Sequence, residues 1–185
     1  MLRIMAEERG SVLMQVRKGG RGAEIGVHEG QFSQRILRIA RPQKLHLVDP
    51  WVYRAELDQS LYGGDAMNQE KMDQRYTEVC KRLSGPIAAG RVSVLRMDSQ
   101  AALVEIADAS LDFAYIDGDH SYGAVKADLE GWLGKLVPGG LLIADDYVNG
   151  GWWGDDVIRA CHGFLAEYPV EIDCKLGSQI AFRKL

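Results

Sequence analysis

Two acidic clusters are the residues most able to do chemistry. Asp117-Gly118-Asp119-His120 follows the apolar run "LDFAYID" (111–117), and Asp145-Asp146 closes "GGLLIADD" (139–146). Like charges at the mouths of two buried strands repel one another and raise one another's pKa values, so something must compensate them. His120 adds a group whose unperturbed pKa of about 6.5 lets it accept a proton near neutrality. Anionic Asp119 beside it favours the charged ring, and burial would oppose that. Acids in such places also cap a following helix or stand solvated.

A second set lies earlier in the chain. "EIGVHEG" puts Glu24 near a strand end, with Gly26 and Gly30 free to make a tight turn that a ligand can approach closely. His28 stands where the dinucleotide fingerprint has its second glycine, which disfavours nicotinamide cofactors. Asp49, one strand-helix-strand unit on, is placed to accept bonds from both ribose hydroxyls of a nucleoside, or to serve as a turn residue before Pro50. Asp98-Ser99 ends a third strand, where it could meet an adenine amino group or cap a helix over 101–107. Trp152 and Trp153, in "NGGWWG", could wall a sugar-stacking pocket or pack on the C-terminal hairpin.

These residues need a scaffold that brings strand ends together. Apolar runs at 22–27, 44–50, 91–98, 111–117 and 139–146 each end in a polar or acidic group and read as buried strands. Helical patterns separate them: Phe32, Ile36 and Ile39 share one face, and Val125, Leu129, Trp132 and Leu136 repeat near the helical period. Ser33 as cap, Phe32 with Leu37 as a staple, and Pro42 as stop bracket the first helix, while Ser121 and "VPGG" (137–140) bracket the helix after Asp119. Alternating strands and helices predict a parallel sheet covered on both faces. Residues 155–168 read as a helix, and "VEIDCKL" with "SQIAFRK" as a hairpin across Gly177. The polar stretch 52–83, helix-like only from Gln69, is longer than an ordinary connection and reads as a lid or substrate insertion, or as a crossover helix with a loose entry.

The chain has 185 residues, 46% of them hydrophobic, enough for a single well-cored domain over 1–185. A net charge of -4 argues against nucleic acid as partner, since phosphate contact calls for a basic face. Cys80, Cys161 and Cys174 are odd in number and lack metal-ligand spacing, in keeping with reduced thiols and a cytoplasmic location. "MLRIMAEERGSVL" meets charges before it reaches signal-peptide length, and no run is long enough to span a membrane.

"AEIGVHEGQFS", "LHLVDPW", "RMDS", "LDFAYIDGDHSY" and "LVPGGLLIADDY" stand in the order and spacing of the class I S-adenosylmethionine-dependent methyltransferases, which the chain resembles over 22–147. "IDGDHSY", "PGG" and "ADDY" are most similar to the small-molecule O-methyltransferase branch, including sugar and antibiotic-tailoring enzymes. The resemblance implies a Rossmann-like, seven-stranded, mostly parallel α/β sheet with an antiparallel last strand. It assigns Glu24, Gly26 and Gly30 to the methionine end of S-adenosylmethionine, Asp49 to its ribose, and Asp98 with Ser99 to the adenine; Asp117 also borders the cofactor.

Metal-dependent relatives hold a divalent cation at places that Asp117, Asp145 and Asp146 match. Carboxylates on strands about 4.8 Å apart can converge on one ion, which removes their repulsion. All-oxygen ligation favours Mg²⁺, with Ca²⁺ or Mn²⁺ as alternatives, over zinc. The family's basic Lys is replaced by His120, so His120 or Asp119 becomes the expected catalytic base. The expected partner is a small-molecule hydroxyl acceptor, a sugar, polyol or catechol, with neither nucleic acid nor membrane, and loop surfaces bearing aromatics and Met available for a homodimer contact. Metal-independent methylation and a silent nucleoside-binding module are the rival expectations.

Overall fold

The computed structural model describes residues 9–57 and 59–185. Residues 1–8, which carry most of the expectation about the N-terminal segment, lie outside the described residues. Seven strands form one sheet: β1 (Arg21–Ile25), β2 (Lys44–Val48), β3 (Val92–Leu95), β4 (Leu111–Ile116), β5 (Leu136–Ala144), β6 (Val170–Leu176) and β7 (Gln179–Lys184), in the order β3-β2-β1-β4-β5-β7-β6. All neighbouring pairs from β3 to β5 are parallel, and β7 runs antiparallel to both β5 and β6.

Register makes this scaffold a site. Ile25 pairs with Val48 on one side and Ile116 on the other, and Ile116 pairs with Ala144. Four strands therefore end level, and the next residues, Gly26, Asp49, Asp117 and Asp145, emerge along one edge. Backbone bonds carry the ladder one step further, from Gly26 N to Val48 O (2.9 Å), Asp117 N to Ile25 O (2.8 Å) and Asp145 N to Ile116 O (2.9 Å). The chain winds outward from β1 to β3 and then returns to β4 beside β1. The crevice between β1 and β4 is thus the switch point where ligands bind in such sheets.

Strand residues alternate between two cores. Leu111, Ala114 and Ile116 of β4 pack under the helices α5 (Tyr122–Lys135) and α6 (Asp156–Glu167), against Leu129, Trp132 and Phe164. Phe113 and Tyr115 face the opposite side, with Ile36 of α1 (Gln31–Ile39) and Met72 and Val79 of α2 (Gln69–Arg82). Two short helices, α3 (Ser84–Ala88) and α4 (Ser99–Ala102), flank β3. Among the described residues no helix is long and apolar enough to cross a membrane.

Several local expectations are corrected. The first helix begins at Gln31 with Gly30 as its cap at φ 74°, so Phe32 and Leu37 are not at staple positions. Ser33 lies inside the helix and is buried, its hydroxyl turned to Glu24 instead of the backbone. "VPGG" does not separate α5 from the next strand: β5 starts at Leu136, and the proline and glycines lie where its register with β4 shifts. The helix expected at 101–107 is α4 followed by a 3-10 turn over Leu103–Glu105. In 52–83, only α2 is long and regular, started by the Asn68 side chain accepting from Lys71 N at 2.9 Å.

Candidate active site

The turn after β1 is held from two sides. At Gly26, φ is 86° and a Cβ would stand 1.9 Å from the Asp117 carbonyl oxygen, so only glycine lets the two strand ends meet. Asp49, 1% exposed, fastens the same turn: its Oδ2 accepts from Val27 N and His28 N at 2.9 Å each, and its Oδ1 from Trp51 N at 2.8 Å. The Tyr62 hydroxyl, from the 52–68 loop, also donates to Oδ2. Burial raises the Asp49 pKa despite these donors. Glu24 accepts from Ser33 Oγ at 2.5 Å, and burial pushes its carboxyl up to about 8. His28 sits at φ 54° with its Nε2 buried and without a partner among the described residues; burial, then the Arg75 charge, lowers its pKa.

The expected adenine residues are placed differently from each other. Asp98 is exposed and pairs with Arg54 at 2.9 Å. Ser99 turns inward, donating to Asp128 Oδ1 at 2.5 Å and accepting from Trp132 Nε1 at 2.8 Å, while Gln100 donates to the same Asp128 oxygen at 2.8 Å. Asp128 is buried on α5, and burial raises its pKa.

At the β4 and β5 ends, the acids divide into two groups. Asp145 points inward, accepting from Tyr115 Oη (2.7 Å), Ser178 Oγ (3.2 Å), its neighbour's Asp146 N (2.9 Å) and the Arg9 guanidinium. Arg9 also binds Asp117, and these anions, with Tyr115, raise its pKa against the opposing effect of burial. Asp146, at φ 55°, turns the other way, to 2.8 Å from His120 Nε2, while Asp117 Oδ1 lies 3.7 Å from the same nitrogen. Burial would lower the His120 pKa, but Asp117 and Asp146 outweigh it and hold it at about 9. Burial and neighbouring carboxylates raise Asp117 to about 6, against His120 and Arg9. Asp119 is exposed and caps the next turn through Ser121 N at 2.8 Å. Trp153 stacks on His120 at 4.6 Å and 26°, and Trp152 stands edge-on to both.

A cavity of about 980 Å³ runs from His28 and Asp49 past Gln100 and Asp128 to His120, Asp146 and the two tryptophans. It is large enough for a nucleoside cofactor with a second small molecule. The unpartnered His28 Nε2 on its wall fits a polar ligand, and the Tyr62–Asp49 bond is of the type a ribose hydroxyl would make. Of the three expected metal ligands, Asp117 and Asp146 fall in one cluster, and Asp145 is tied to Asp117 through Arg9. The groups brought within 4.8 Å of one another are Asp117, His120 and Asp146, a mixed nitrogen and oxygen set, while Asp145 belongs to Arg9 and Tyr115.

Sequence reasoning missed Arg9, Tyr62, Gln100, Tyr115 and Asp128. Only Asp128 left a trace there, as a carboxylate beside the apolar stripe of Val125, Leu129 and Trp132; the others read as ordinary strand or loop residues.

A doubly wound α/β sheet with acids at the switch point is a scaffold with its ligand crevice at the carboxyl ends of the strands. The comparisons make the class specific: a family described as a methyltransferase domain matches residues 23–147, and the chain belongs to that family. An uncharacterized protein, y4gI, of Sinorhizobium fredii is 27% identical over 142 residues, covering 74% of this chain; the chain spans only 14% of that protein's length. Among solved structures, cofactor-bound Rv0187 from MTB has a TM-score of 0.63 at 18% identity, over 96% of this chain and 79% of that one. An S-adenosylmethionine-dependent O-methyltransferase of Thermotoga maritima scores 0.61 at 13% identity, over 97% and 65%. At these identities the likeness is one of fold.

Proposed function

We propose that this chain is an S-adenosylmethionine-dependent O-methyltransferase acting on a hydroxyl of a small molecule such as a sugar, polyol or catechol. The observation that carries the reading is the single cavity joining the Gly26–His28 turn to the His120, Asp146 and tryptophan mouth, in a chain of the methyltransferase-domain family.

S-adenosylmethionine, when bound, supplies a methyl carbon on positively charged sulfur, which the acceptor oxygen takes as the carbon–sulfur bond breaks and its electrons stay on sulfur. The chain's residues do the rest. Asp49 keeps the glycine turn in place and offers its carboxylate to the ribose once Tyr62 releases it. Trp152 and Trp153 form an aromatic wall for the flat or apolar face of the acceptor. His120, in its neutral form, takes the hydroxyl proton, and Asp146 at 2.8 Å orients the ring and stabilises the imidazolium that results.

The test is calorimetric titration with S-adenosylhomocysteine, followed by transfer of label from methyl-labelled S-adenosylmethionine to a panel of vicinal diols, catechols and sugars. Absence of binding overturns the reading. Binding without turnover across the panel favours a silent nucleoside-binding module.

A further inference from the structure

Asp117 and Asp145 follow adjacent, level strand ends, so their carboxylates share a small volume and their repulsion has to be met there. What meets it is Arg9, from the helical residues 9–11 that precede the sheet. Its Nε and Nη2 reach Asp145 Oδ2, and Nη2 also reaches Asp117 Oδ2. The guanidinium is held over the Phe32 ring at 4.9 Å from its centroid, and Phe32 in turn packs on Tyr115 at 4.4 Å. The cation thus has a seat built from α1 and β4.

Counting acceptor capacity decides what else can bind. A carboxylate offers about four lone-pair sites. On Asp145, Asp146 N and Ser178 Oγ take Oδ1, and Tyr115 Oη and Arg9 take Oδ2. Its side chain is 1% exposed. A hard divalent ion needs several oxygen ligands in its own short, regular shell, and here one carboxylate is saturated and the other shares its Oδ2 with a guanidinium. Arginine stays charged at any ordinary pH, so this neutralisation does not come and go.

We propose that Arg9 is a built-in cation: it holds the Asp117–Asp145 pair in the role a divalent ion would fill, and it keeps such an ion out. Arg9 is then a positioning residue that sets the two carboxylates. This goes beyond the methyl-transfer reading and is tested by metal binding instead of turnover, so either can fail alone.

The probe is Mn²⁺, followed by electron paramagnetic resonance and calorimetry on the whole chain after treatment with chelator. The wild type is expected to show no saturable binding below millimolar Mn²⁺. Arg9→Gln should gain a site at least about tenfold tighter, and adding Asp145→Asn should abolish it; Arg9→Lys should gain none. Thermal unfolding covers a variant that folds poorly: Mn²⁺ should raise the midpoint of Arg9→Gln and leave the wild type unmoved. Equal Mn²⁺ affinity in the wild type and Arg9→Gln, whichever residues supply the ligands, overturns the proposal. So does a wild-type site that is lost in Asp145→Asn.

Discussion

The Tyr115 hydroxyl donates to Asp145 Oδ2 at 2.7 Å and accepts from Gln179 Nε2 at 2.5 Å, linking β4, the residue after β5 and the first residue of β7. The contact is buried, and its strands are neighbours in the sheet. Tyr115→Phe keeps the ring against Phe32 and removes both bonds. It should cost about 1–3 kcal/mol of unfolding free energy, because Gln179 is left without its acceptor and Asp145 loses a donor. Urea denaturation of the two proteins at neutral pH measures it, and a loss close to zero would show that the hydroxyl is not a structural tie.

Tyr62 and a ribose hydroxyl would compete for the same oxygen of Asp49. Removing the competitor in Tyr62→Phe should therefore tighten S-adenosylhomocysteine binding, by up to about tenfold if one net hydrogen bond of about 0.5–1.5 kcal/mol is released. Calorimetry reads this directly. Weaker binding in Tyr62→Phe would mean that the phenol contacts the cofactor instead of standing in its way.

His120 has a folded-state pKa raised from 6.5 to about 9 by Asp117 and Asp146. The charged ring therefore stabilises the fold fully below about 6.5, and that contribution is lost as pH rises through about 9. His120→Gln should flatten the stability profile across this window, as measured by denaturation at stepped pH. If the neutral ring is the base, methyl transfer by the wild type should climb over the same range.

Glu24 loses stability in the same direction, the reverse of a carboxylate whose pKa is depressed by folding. Its folded-state pKa is raised from 4.5 to about 8 by burial, so the folded chain keeps a proton that the unfolded chain releases. Stability present below about 4.5 is lost as pH rises through about 8. Glu24→Gln retains an oxygen for the Ser33 hydroxyl and removes the titration. Its stability relative to wild type should improve from about pH 5 to about pH 8, and an unchanged difference would place the ionised carboxylate comfortably in the fold.

The strands were legible because each apolar run ends in a polar or acidic residue, and the level register turns those endings into one edge. Gly26 and Asp49 declared themselves for the same reason. Arg9 did not, since a charged residue ahead of the first strand carries no period and its partners lie 108 and 136 residues away. Tyr62 sits in an irregular segment whose course depends on Arg54, Arg75 and Asp49 together. Asp145 and Asp146 are adjacent in sequence and look like one feature. The left-handed backbone at Asp146 sends them in different directions, which no side-chain pattern announces.

The family match covers 23–147, yet the supports of the acidic centre stand outside it on both sides. Arg9 comes before that segment, and Ser178 and Gln179 come after it, at the head of β7. A fragment trimmed to the recognisable motifs would keep every residue that identifies the chain and lose three that keep Asp145 and Tyr115 in place. For this protein, the stretch that reveals ancestry is shorter than the stretch that holds the acidic centre together.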